Sequence, residues 1–123
     1  MLEAYQALNE EIIDDLQTIL GGGFGEIVEE QVIQAREYMK DMQQNLKDQD
    51  SQKMMRNAHA LKSSAGQIGL EGIHLKAKEI ETLCREDIDS GSPMRGDIAE
   101  KLALLQDAFD GAVAKLKDRT ANG

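Results

Sequence analysis

Cysteine, proline and aromatic residues are nearly missing from these 123 residues, which hold one Cys, one Pro, two Tyr, two Phe and no Trp. A single thiol, Cys84, excludes an intramolecular disulfide and any multi-cysteine zinc site. Its neighbours Ile80, Leu83 and Ile88 mark it as a buried apolar residue rather than a reactive one. With aromatics at 3%, the stacking platforms that hold single-stranded nucleic acid are missing, and a net charge of -9 would repel a phosphate backbone. Nucleic acid is therefore not an expected partner. Long apolar runs are missing too: none approaches the ~20 residues that cross a bilayer. The acidic start MLEAYQALNEE is unlike a signal peptide. A cytoplasmic protein that makes no use of a membrane is expected.

What the chain does have is the balance of a folded protein, 41% hydrophobic and 30% charged. Its length suits one domain, taken as residues 1–123. Apolar residues recur at helical spacing and no alternating β-branched run occurs, so the class is all-α. A short helix is expected from about Asn9 to Leu20, with Ile12, Ile13, Leu16, Ile19 and Leu20 turned inward, before GGGFG breaks it. A long helix then runs from about Phe24 to Asp48 with the stripe Val28, Val32, Ala35, Met39, Met42 and Leu46. Asp50 or Ser51 caps a third, which reaches about Ile68. Gly69 and Gly72 mark the turn into a fourth, containing Ile73, Ala77, Ile80, Cys84 and Ile88. DSGSP ends that helix, with Ser92 as cap and Pro93 in the first turn of a fifth. The fifth buries Ile98, Leu102, Leu105, Phe109, Val113 and Leu116, and TANG is read as a frayed tail. Short connections between four long amphipathic helices predict an antiparallel four-helix bundle, with the short N-terminal helix added as a cover.

The stretch from Asn57 to Leu70, NAHALKSSAGQIGL, is the informative one. Met54, Ala58, Leu61, Ala65 and Ile68 share one side of the helix and read as core. His59 is not among them. With His59 at zero and ~100° per residue, Lys62 falls at about -60°, Ser63 at about +40° and Gly66 at about -20°. A histidine thus shares an open face with a cation and small residues. Gly66 costs about 1 kcal/mol of helix propensity relative to alanine. Close approach of a partner protein is the reading that accounts for it.

If the turn centres near residue 70, the position level with His59 on the antiparallel neighbour is Glu81. A carboxylate there can accept a hydrogen bond from Nδ1–H, which fixes the tautomer and leaves an Nε2 lone pair facing solvent, as a nucleophile requires. Lys62 can neutralise an oxyanion attached to that nitrogen. His74, nearer the turn, is read as structural or as rim. No tight spacing of His and carboxylates supports a metal site, and GGGFGE lacks the Lys-Ser/Thr ending and preceding strand of a phosphate loop.

At these residues the chain resembles the histidine phosphotransfer (HPt) domains of bacterial phosphorelays. Their signature, of the form AHxLKGSAGxxG, reads AHALKSSAGQIG here, with Lys62, Gly66 and Gly69 three, seven and ten residues after His59. Glu81 stands where the family has its imidazole partner. Ser63 departs from the glycine most often found at its position. The resemblance implies a phosphoryl carrier that takes the group from a receiver-domain aspartate onto Nε2 of His59 and passes it to another receiver. It implies no ATP binding and no kinase activity, and it implies no cofactor on this chain, magnesium belonging to the partner receiver. The expected partners are the receiver domains of a hybrid sensor kinase and of a response regulator, bound by a monomer. The docking face implied comprises Met55, His59, Lys62, Ser63 and Gly66. The alternative reading is an HPt-like adaptor that sequesters a regulator without phosphorylation. A chemotaxis-type kinase domain would need a kinase core, which these 123 residues do not contain.

Overall fold

The computed structural model describes residues 2–121, which form six helices and no strand. The helices are α1 (Leu2–Tyr5), α2 (Glu10–Leu20), α3 (Gly23–Lys47), α4 (Ser51–Gln67), α5 (Glu71–Asp89) and α6 (Asp97–Ala121). Asn9 starts α2 by accepting the Ile12 N–H on its side-chain oxygen at 3.1 Å. Asp50 does the same for α4, accepting from the Lys53 N–H at 3.0 Å, so of the two expected caps the aspartate is used. Helices α3 to α6 form the antiparallel bundle: α4 packs between α3 and α5, and α6 closes the ring against α5 and α3. Val28, Val32, Ala35, Met39 and Met42 meet Met54, Ala58, Leu61 and Ala65, then Ile73, Ala77, Ile80 and Cys84, then Ile98, Leu102, Leu105 and Phe109. Cys84 is fully buried, and its thiol is pushed up to about 11, chiefly by that burial.

Three local expectations are revised. Ile19 is 76% exposed rather than turned inward. It lies about 120° around α2 from Ile13, the one buried residue of that 11-residue helix. The last long helix begins at Asp97, not near Pro93. Asp87 explains the delay. Its buried carboxylate accepts the Arg95 backbone N–H at 3.1 Å and the Arg95 guanidinium at 2.8 and 3.0 Å, while its carbonyl accepts the Ser92 N–H at 2.8 Å. The segment from 91 to 96 is thereby tied to the end of α5 with Met94 tucked beneath it. Of the expected tail, Thr120 and Ala121 continue α6, and Asn122 and Gly123 lie outside the described residues.

The N-terminal segment before Asn9, for which the sequence suggested no element, is seated against the α4–α5 turn. Tyr5 is 5% exposed, the Gly72 N–H donates to the Ala7 carbonyl at 2.9 Å, and the Asn9 N–H donates to the Gly69 carbonyl at 2.8 Å. Gly72 is glycine because a Cβ there would come within 2.4 Å of the Ala4 and Tyr5 backbone, which has no side-chain freedom to move aside. Gly72→Ala should therefore lift α1 off the turn and destabilise the protein by about 1–3 kcal/mol, the usual range for overpacking. Urea unfolding followed by circular dichroism measures this, and an unchanged midpoint would show the segment to be loosely held.

Candidate histidine site

His59 lies in the third turn of α4 with its side chain 59% exposed, while Glu81, on α5, has only 6% of its side chain exposed. Amphipathic helices joined by a tight turn bring them level. Gly69 makes that turn possible: it has φ +79°, in the left-handed region that favours glycine, and a Cβ on it would meet the Ile13 side chain at 2.6 Å. The Nδ1 of His59 lies 2.7 Å from Oε2 of Glu81. Lys62, one turn further along α4, donates from Nζ to the other carboxylate oxygen, Oε1, at 2.8 Å. Arg85, one turn further along α5, donates to Oε2 at 3.3 Å.

Burial pushes the Glu81 carboxyl up, but the hydrogen bonds and charges of Lys62 and His59 outweigh it and hold the group below its ordinary value. Glu81 is thus an anion at neutral pH and accepts only. The proton between it and the imidazole belongs to Nδ1 of His59, which leaves the lone pair of a neutral ring on Nε2.

Of the residues picked from the sequence, the structure brings His59, Lys62 and Glu81 into direct contact. Lys62 differs from expectation in its first contact: its ammonium, with the side chain 21% exposed, is engaged by Glu81. Ser63 is exposed and Met55 half-buried on the same helix face. Gly66 has an internal explanation that the sequence did not suggest. A Cβ there would sit 2.8 Å from Nδ1 of His74, whose N–H donates to the Lys62 carbonyl at 2.9 Å. The imidazole of His74 fills the notch, so a larger residue at 66 would have to displace that side chain. The expected structural role of His74 is thereby given a specific form.

Sequence reasoning passed over two arginines. Met55, Arg56, His59, Glu81 and Arg85 line a shallow depression of about 330 Å³. The signal was available in the spacing, since Arg56 precedes His59 by three residues and Arg85 follows Glu81 by four, each one helical turn. In a chain of net charge -9, Arg56 and Arg85 flank the imidazole in this depression, and Lys62 joins them through Glu81. Such a local field attracts an acidic or phosphorylated partner. No group of three or more His, Cys, Asp or Glu able to hold a metal ion occurs among the described residues. No helix among them is long and apolar enough to cross a membrane.

The comparisons with known proteins concern the fold and the family. In solved structures, the chain is similar to histidine-containing phosphotransfer protein B (HptB) from Pseudomonas aeruginosa PAO1, with a TM-score of 0.81 at 16% identity over 94% of this chain and 96% of that one. At that identity the likeness concerns the fold. No curated protein sequence matches the chain. The profile of the Hpt domain matches residues 26–118, which include α4 and α5 whole and with them His59, Lys62 and Glu81. The chain therefore belongs to the Hpt domain family, the histidine phosphotransfer proteins that serve as phosphoryl carriers in phosphorelays and interact there with receiver domains.

Proposed function

We propose that this chain accepts a phosphoryl group from the aspartyl phosphate of one receiver domain onto Nε2 of His59 and delivers it to the aspartate of another. The observation that carries the reading is the 2.7 Å contact between His59 Nδ1 and a buried carboxylate, on a ring that is otherwise exposed. In the forward step the Nε2 lone pair forms a bond to phosphorus as the bond from phosphorus to the aspartyl oxygen breaks. The receiver's carboxylate leaves with that electron pair. Nδ1 keeps its proton, so the product is a phosphoimidazolium whose positive charge faces the Glu81 anion. The return step reverses the same bonds, and no proton has to be exchanged in either direction.

In this proposal Glu81 orients and charge-balances the imidazole. Lys62 anchors Glu81 and adds a positive field beside the phosphoryl group. Met55, Ser63 and Gly66 provide a surface of modest relief for the receiver. Magnesium is assigned to the receiver's acidic site and no cofactor to this chain. A hybrid sensor kinase would supply the donor receiver and a response regulator the acceptor, with the carrier acting as a monomer. A phosphorylation-independent adaptor would have no need of an imidazole held by a buried acid, and no observation favours that reading.

Incubation with a panel of phosphorylated receivers is expected to give this chain an acid-labile, alkali-stable phosphoryl label. Complete absence of label across the panel would remove the carrier reading and leave an adaptor in its place.

A further inference from the structure

Three hydrogen-bond donors surround Glu81, and they are not equivalent. His59 and Lys62 approach its oxygens at 2.7 and 2.8 Å, whereas Arg85 reaches Oε2 only at 3.3 Å. The Arg85 side chain is 56% exposed against 21% for Lys62. Arg85 also lines the depression that holds His59, and Lys62 does not. A further asymmetry lies in the carboxylate itself. Lys62 has Oε1 to itself, while Arg85 shares Oε2 with the imidazole. Phosphorylation of Nε2 makes the ring cationic and strengthens its claim on that shared oxygen.

Resting on the carrier reading above, we infer that Arg85 binds the phosphoryl group of phosphorylated His59, its guanidinium leaving Glu81 for the phosphoryl oxygens. The planar guanidinium can offer two parallel N–H donors to such oxygens, which a lysine ammonium cannot. The Arg85 side chain is long, 56% exposed and on the depression shared with His59, which is the freedom such an exchange calls for. Lys62 stays on Oε1 and keeps the carboxylate in place throughout. Arg85 thus holds the cargo, and Lys62 holds the residue that orients the carrier nitrogen.

The test uses potassium phosphoramidate, a small donor that phosphorylates histidine without a receiver, on the full chain and on Arg85→Ala, Arg85→Lys and Lys62→Ala. Phosphorus NMR follows the second ionisation of the phosphoryl group on His59. A guanidinium on the oxygens favours the dianion, so Arg85→Ala should raise the titration midpoint by about 0.5–1 pH unit. Arg85→Lys should restore part of the shift, and Lys62→Ala should move it less than Arg85→Ala does. With a receiver present, Arg85→Ala should also shift the transfer equilibrium toward the receiver by roughly 3- to 10-fold. A midpoint unchanged in Arg85→Ala, or one that moves only in Lys62→Ala, overturns the assignment, while wild type labelled by a phosphorylated receiver keeps the carrier reading. If phosphoramidate labels His59 but no receiver does, the carrier reading fails, and the titration still decides whether Arg85 binds the phosphoryl group.

Discussion

His59→Gln should abolish the phosphoryl label altogether, because the substitution removes the Nε2 lone pair held in place by Glu81. Glutamine offers an amide whose nitrogen electrons are delocalised into the carbonyl, so its reactivity toward an acyl phosphate is negligible. The fold should not notice. The His59 side chain is 59% exposed and contributes one hydrogen bond, to Glu81, which keeps Lys62 and Arg85 as donors. A loss of no more than about 1.5–3 kcal/mol is expected, the value of a hydrogen bond to a charged group, with the helical fold retained. Denaturant unfolding and helical circular dichroism check the second half of the expectation, and phosphotransfer checks the first. Label persisting on the variant would place the acceptor elsewhere, with His74 the next residue to test.

Glu81→Gln should have the second largest effect, on rate rather than on binding. The charge-assisted hydrogen bond that it weakens is worth about 1.5–3 kcal/mol. Expressed as a barrier, that slows transfer roughly 10- to 100-fold. Receiver affinity by calorimetry should change little, since Glu81 is buried behind the face. A collapse in affinity with an unchanged rate constant would contradict the orienting role. The same variant has a stability signature. The Glu81 carboxyl is held below its ordinary value of 4.5, so its stabilising contribution is present above that pH and is lost as the pH falls through the lowered value. In Glu81→Gln the urea midpoint should therefore fall less steeply than in wild type as the pH is lowered below 4.5.

The bundle was legible because each long helix carries an uninterrupted apolar stripe, and the level of His59 with Glu81 followed from a turn centred near residue 70. What escaped is information that only three-dimensional proximity supplies. Gly72 reads as a turn residue in sequence, yet it is a contact point for a segment some 65 residues earlier in the chain. Gly66 suggested an external partner because a helix wheel shows which way a position points and not what already stands there. Pro93 is a sound first-turn residue by local rules, and a buried aspartate six residues earlier overrides them. At the site itself, the wheel put Lys62 beside His59 correctly but could not show that Glu81 would claim its ammonium. Arg85 stood at helical spacing from Glu81 and acquires its meaning only from the depression it shares with His59.

The forked contact of Glu81 has a consequence for assembly. One oxygen reaches His59 and the other Lys62, so a single side chain of α5 engages two successive turns of α4. It works as a registration mark between the two helices. Slippage of α5 along α4 by one turn would move the carboxylate about 5 Å, out of reach of one of its two partners. A bundle that closed out of register would consequently leave either the imidazole without its acceptor or the carboxylate without its lysine.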